Sequence, residues 1–260
     1  MTTTPLTVLV AGATGSVGRL VVAESLAQGH TTRALVRDAD RARRLLPAET
    51  ELVVGDVTRT DTLTDAVAGV DAIVLTLGSD GASNSSPETV DYAGVRNILA
   101  ALDGHAPRIA LMTAIGVTSR SPVYDHLLDW KRRSERLVRA SGLPYTIVRP
   151  GWFDMNGPDE RRLVFLQGDT RRTGTAADGV IARAQIAQVL AQALTAPQAV
   201  RRTFELVAES GTPDQDLDAL FAALTEDSPG ALDAAGDEAN MPLDQEPTRV
   251  RDDLEAVRRA

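Results

Sequence analysis

The chain has 260 residues, 43% hydrophobic and 24% charged, which suits one large α/β domain with a full core, or a domain plus an appendage. It contains no cysteine, which excludes disulfides, thiolate catalysis and Cys-ligated metals, and its three histidines (His30, His105 and His126) are too far apart for a metal-ligand pattern. The net charge of −9 is uneven: residues 1–210 carry 23 basic and 23 acidic side chains, residues 211–260 carry 4 and 13, and such an end repels nucleic acid and anionic membranes.

Met1–Pro5 lacks the basic region and apolar run of a signal peptide, and no stretch is apolar for the roughly 18 residues a membrane span needs, so a cytoplasmic location is expected. Short apolar runs then alternate with segments of helical period, the pattern of repeated βα units. Leu6–Ala11 reads as a buried first strand, followed by a glycine loop and a helix to about Gln28. Thr32–Val36, Glu51–Val54 and Ala72–Leu77 are the next strands, and a helix covers roughly 87–102. Arg108–Thr113 and Tyr145–Arg149 are the fifth and sixth strands, with a helix of about 124–141 between them. Each crossover is long enough for a right-handed parallel connection. The fold class expected is α/β, a doubly wound Rossmann-type parallel sheet with a small C-terminal extension on the substrate side. After Pro150, Val164–Leu166 and Phe204–Val207 read as edge strands around a helix at Ile186–Leu194. Residues 1–210 form the nucleotide-binding domain, including the substrate-side segments after 150. Residues 211–260 form an acidic extension, packed on that domain or trailing it, with one amphipathic helix near Leu217–Leu224. The extension reads as a solvated acidic surface or a partly mobile tail, or else as a docking site for a basic protein partner.

Gly12-Ala-Thr14-Gly15-Ser16-Val17-Gly18 joins the first strand to the first helix. Glycines there let the backbone turn tightly and approach a pyrophosphate, whose charge meets N–H groups at the helix N-terminus. The end of the second strand lies beside the adenosine ribose, where an NAD site usually carries Asp or Glu. Here Arg37 follows Val36, with Arg41 one helical turn on, and guanidinium pairs suit a 2′-phosphate. Asp38 is an alternative partner for a ribose hydroxyl. NADP(H) is therefore expected ahead of NAD(H). Asp56 and Val57, after the third strand, fit the adenine edge; Thr76, Leu77 and Gly78, after the fourth, fit the path to the nicotinamide ribose.

The order of these motifs resembles the atypical short-chain dehydrogenase/reductase superfamily, particularly its NmrA-like and NAD(P)H-binding branches. The matching pieces are Gly12–Gly18, Val36-Arg37, Gly55-Asp56, Val90–Gly94, Ile115-Gly116, Lys131 and Ser141–Gly151, spanning about residues 6–155. The resemblance implies a bound NAD(P), a small-molecule substrate and a pocket closed by segments after Pro150, itself a cofactor contact. In catalytic members a Tyr passes a proton to the substrate oxygen as hydride moves. A Lys four residues later binds the ribose and lowers the phenol's pKa, and a Ser after the fifth strand hydrogen-bonds the substrate oxygen.

Lys131 matches that lysine, and it stands as the one lysine against 26 arginines. The Tyr position is Leu127, and the two residues usually Ser-Ser are Thr113 and Ala114. Tyr124 lies on the face of Lys131 but roughly 10 Å along the axis, and His126 is about 100° off Leu127. Each is a candidate for the missing phenol, or a packing residue. Thr113 is a candidate hydroxyl, or a structural strand end. Trp130, Trp152 and Phe153 are candidate walls of a pocket for an apolar or planar substrate, or core residues. Two functions follow: an NADP(H)-dependent oxidoreductase with a non-standard active site, or a non-catalytic NADP(H) redox sensor of the NmrA-like kind. Nucleotide-sugar epimerase or dehydratase chemistry fits less well. The chain is expected as a monomer or homodimer.

Overall fold

The structure is a computed structural model and describes residues 4–79, 85–119, 125–213 and 216–259. The first half is built from βα units: β1 (Thr7–Ala11), α1 (Gly18–Ala27), β2 (Thr31–Val36), α2 (Ala39–Arg43), β3 (Glu51–Val54), α3 (Thr64–Val67) and β4 (Ala72–Leu75). A π-helical turn, Pro87–Tyr92, runs into α4 (Ala93–Ala101), where the sequence led us to expect one continuous α-helix. Ser86 caps that turn, accepting the Thr89 N–H at 3.1 Å while its own N–H donates to Thr89 Oγ1 at 3.0 Å. There follow β5 (Arg108–Met112), α5 (Asp125–Ala140), β6 (Tyr145–Pro150), β7 (Trp152–Phe153), β8 (Arg162–Leu166), β9 (Val180–Ile181), α6 (Arg183–Ala193), β10 (Arg202–Glu209), α7 (Leu217–Ala222) and α8 (Thr248–Arg259).

Strands β3-β2-β1-β4-β5-β6 lie side by side, all parallel, and β10 extends the parallel set beyond β6. Val8 and Val10 face one core with α1 and α6, while Leu9 and Ala11 face the other with α3, α4 and α5. A strand covered on both faces reads as an unbroken apolar run, which is why β1 was legible. The strand expected at Phe204–Val207 corrects the edge assignment. It is longer, buried along its centre, and flanked by β6 on one side and by antiparallel β8 and β9 on the other. No described helix is long and apolar enough to cross a membrane.

The acidic extension is folded against α5 and β6. Val250, Leu254 and Val257 of α8 bury into the core that α4 and α5 share. Asp233 pairs with Arg132 at 3.1 Å and Arg136 at 2.9 Å, Glu246 with Arg133 at 2.6 Å, and Asp227 with Arg139 at 3.3 Å. Asp237 reaches Arg149 of β6 at 2.7 Å. These carboxylates are counter-ions of the protein's own arginines, in place of the solvated surface expected.

Candidate dinucleotide site and apolar cleft

The glycine loop closes on the end of β4. Gly12 has φ +87°, and a Cβ there would lie 2.6 Å from the Thr76 carbonyl oxygen; one at Gly18 would lie 2.1 Å from that of Gly12. Gly15 donates its N–H to Gly12 O at 2.9 Å. Thr76 is buried and its hydroxyl bonds Ala11 O at 3.2 Å, so it braces the loop's base. Helix α1 starts with no side-chain cap and no acidic residue in its first turn. A cradle shut to any Cβ, beneath an uncapped positive helix end, fits a pyrophosphate. Thr14 is half-buried and Ser16 exposed beside it, while Val17 anchors the helix in the core.

At the end of β2, Arg37 is exposed and forms no ion pair among the described residues, and the same holds for Arg41. Asp38 caps α2: its Oδ1 accepts the Arg41 N–H at 2.9 Å. The Asp38 carboxylate is thus engaged at a helix end. Asp56 holds an Asx turn, accepting the Thr58 N–H at 2.9 Å and hydroxyl at 2.8 Å. Val57 packs under Gly94 and gives its carbonyl to Asn97 Nδ2 at 2.8 Å. Leu77 is buried and Gly78 exposed at the mouth beyond β4.

Lys131 sits on α5 with its ammonium 2.5 Å from Asp91 Oδ1, the side chains 12% and 2% exposed. Asp91 projects from the π-helical turn, and its Oδ2 accepts the Ser79 N–H at 3.1 Å. That aspartate was missed as a site residue although the Val90–Gly94 motif contains it. This carboxylate fixes the direction of the Lys131 ammonium.

A cleft of about 390 Å³ opens beyond the carboxyl ends of β5 and β6. Ala114, Leu127, Pro150, Trp152, Phe153 and Met155 line it, so Ala114 and Leu127 present carbon to the cavity. Thr113 corrects the hydroxyl expectation. It is buried and donates to Glu135 Oε1 at 2.7 Å, because strand alternation turns it away from the face Ala114 occupies. Trp130 is likewise outside the cleft, against the Tyr92 ring at 5.3 Å and under Arg133 at 4.4 Å. Tyr124 lies outside the described residues, as does the His126 side chain. The other two tyrosines are tied to the C-terminal segment: Tyr92 OH donates to Asp253 at 2.8 Å and Tyr145 OH to Asp227 at 2.9 Å. Burial first, and then these carboxylates, raise both phenols.

Behind the cleft lies a buried charge cluster that sequence reasoning missed. Asp169 accepts the N–H groups of Gly116 and Thr118, each at 2.7 Å, and so fixes the loop after β5. Glu135 lies between Arg149 at 2.7 Å and Arg139 at 3.2 Å. Burial pushes its carboxyl up, but the Arg149 and Arg139 guanidiniums outweigh that and hold it at about 2. Glu205 is pushed up to about 8 by burial, with Asp169 adding to the effect and Arg149 opposing it. A signal for this cluster was present in the arginines at 132, 133, 136, 139 and 149 facing an acidic C-terminal segment.

Fold and loop together define a Rossmann-type dinucleotide-binding protein. The model of the family described as NAD(P)H-binding matches residues 12–197, and the chain belongs to that family. It is similar to an uncharacterized chloroplastic protein of Arabidopsis thaliana, 32% identical over 86% of this chain and 77% of that protein. It is also similar to sanguinarine reductase of Eschscholzia californica, 27% identical over 85% of this chain and 96% of the reductase. Protein TIC 62, chloroplastic, of Arabidopsis thaliana is 28% identical over 95% of this chain, which spans 44% of TIC 62. Among solved structures, the oxidoreductase ylbE of Lactococcus lactis shares the fold with TM-score 0.69 at 15% identity, over 86% of this chain and 100% of that one. Relatives that are chloroplastic overturn the expected cytoplasmic location. That expectation rested on the lack of a signal peptide, which bears on secretion alone.

Proposed function

We propose that the chain is an NADP(H)-binding protein of the redox-sensing, regulatory kind, whose nicotinamide end faces an apolar cleft with no free general acid among the described residues that line it. The carrying observation is that Ala114 and Leu127 both line the cleft while the glycine loop and Lys131 are kept. Arg37 and Arg41, exposed and unpaired among the described residues, are the groups for the 2′-phosphate. Gly12–Gly18 would hold the pyrophosphate, Asp56 and Val57 the adenine edge, and Lys131, positioned by Asp91, the nicotinamide ribose. When bound, the dinucleotide supplies or accepts a hydride at its nicotinamide ring. The cleft offers that ring little counter-charge. Its Asp178 is buried and already accepts the N–H groups of Thr173 and Gly174, each at 2.7 Å. An apolar wall favours the neutral reduced ring over the cationic oxidised one, which would let occupancy report redox state.

A second reading is favoured by Trp152 and Phe153 in the cleft and by the likeness to sanguinarine reductase. In it the chain reduces a planar apolar acceptor that takes its proton from water, so that positioning alone is required of the protein. Calorimetry with NADP⁺, NADPH, NAD⁺ and NADH, beside an NADPH-oxidation assay on quinones, flavins and enones, separates the two. Tight NADPH binding, stronger than NADP⁺ binding and without turnover, is the expected result. Turnover with a planar acceptor selects the second reading, and no binding of any nucleotide removes both.

A further inference from the structure

One cation reaches the glycine loop from the far side of the cleft. Arg183 opens α6, and its Nε donates to Ser16 Oγ at 3.1 Å; among the described residues no other cation hydrogen-bonds to residues 12–18. The same guanidinium pairs with Asp154 and lies 4.9 Å over the Phe153 ring, while the Arg183 N–H donates to Asp154 Oδ1 at 2.9 Å. Arg183 therefore touches both the loop that would take the pyrophosphate and the β7 wall of the cleft.

The mechanical link is short. Trp152 and Phe153 pair with Val180 and Ile181, and Asp154 donates its N–H to Ile181 O at 2.8 Å, two residues before Arg183. Asp154 has φ +55°, a left-handed conformation that aspartate adopts more readily than most residues. Its N–H bond to Ile181 O and its two bonds to Arg183 hold it there. Their ion pair is weakly protected, with side chains 33% and 50% exposed, so solvent screens it. A pyrophosphate next to Ser16 offers the guanidinium two charges and several acceptor oxygens, against one half-solvated carboxylate.

We propose that Arg183 is a positioning residue that couples the two halves of the site: a bound pyrophosphate draws its guanidinium from Asp154, and the β7 wall carrying Trp152 and Phe153 shifts with it. This rests on the nucleotide site proposed above and adds the way in which its occupancy reaches the cleft. The coupling carries a nucleotide signal to whatever occupies the cleft, under either functional reading.

The test uses a Trp130→Phe background, in which Trp152 is the remaining tryptophan. The probe is 2′-phospho-ADP-ribose, which has the pyrophosphate but no nicotinamide ring to quench indole by contact. Calorimetry measures binding and Trp152 emission reads the cleft. We expect saturating probe to change the emission of the parent protein. Arg183→Ala should bind about tenfold more weakly and show no emission change at saturation. Arg183→Lys, which keeps the charge but cannot bridge both partners and stack, should recover part of the affinity and none of the response; it also serves if the alanine variant fails to fold. A full emission change in saturated Arg183→Ala or Arg183→Lys overturns the proposal alone, as does a parent protein that binds the probe with no change. A parent protein that binds no probe overturns it together with the nucleotide site.

Discussion

Two arginine-bearing regions of this molecule behave oppositely. At the end of β2, Arg37 and Arg41 are exposed and unpaired among the described residues. Along α5 and β6, Arg132, Arg136, Arg139 and Arg149 are buried, and each is matched by a carboxylate. The first arrangement leaves positive charge unspent, as an anionic ligand requires; the second leaves none. A guanidinium's counter-ion, more than its position in the sequence, shows which arginines the fold itself uses.

The comparison is broken hardest at Glu135. Glu135→Ala leaves Arg139 and Arg149 buried without their shared partner, and a loss of about 3–5 kcal/mol in urea unfolding is expected. A loss under 1 kcal/mol would mean that Asp227 and Asp237 suffice, and that the seam is redundant. On the nucleotide side, Gly18→Ala forces a Cβ to within 2.1 Å of the Gly12 carbonyl oxygen. Calorimetry should show NADPH affinity falling about 100-fold, roughly 3 kcal/mol.

Arg37→Ala sharpens the contrast, because the loss of a charge-assisted contact should cost NADPH about 1.5–3 kcal/mol in calorimetry. NADH affinity and the melting temperature should stay put, since the Arg37 side chain makes no hydrogen bond or ion pair among the described residues. A drop in NADH affinity as large as that for NADPH would place Arg37 elsewhere than at a 2′-phosphate.

The smallest effect is a pH dependence inside the buried cluster. The Glu205 carboxyl is raised from an ordinary 4.5 to about 8, so it stays protonated in the fold where the unfolded chain ionises. Its contribution is complete below pH 4.5 and is lost as pH rises through 8. Glu205→Gln should remove that decline and be the more stable form at pH 9 in denaturant titrations, with the two proteins converging near pH 5. Glu135 runs the other way: held at about 2, it stabilises above 4.5 and the gain is lost as pH falls towards 2.

The six parallel strands β1 to β6 were legible because a strand buried on both faces is a contiguous apolar run, and the glycine loop because its strand, turn and helix are neighbours in the chain. Trp152, Phe153 and Pro150 were placed near the cleft by their nearness to the end of β6. Thr113 was not legible in this way. One step along a strand reverses the face, and nothing local says whether 113 or 114 looks outward. Trp130 failed for a similar reason, since its partners Tyr92 and Arg249 come from the π-helical turn and from α8. Arg183 carried no motif, and its link to Ser16 joins residues 167 positions apart.

The sequence by itself determined the parallel sheet and its glycine loop, because a buried strand and the tight turn into the helix N-terminus that follows it act through adjacent residues. Tertiary structure alone decided where the acidic segment goes and that Thr113 turns its hydroxyl to Glu135. A carboxylate's role depends on the charge it meets, and Asp233 and Asp237 meet Arg136 and Arg149 across 97 and 88 positions of chain, a pairing that exists only once the sheet is built.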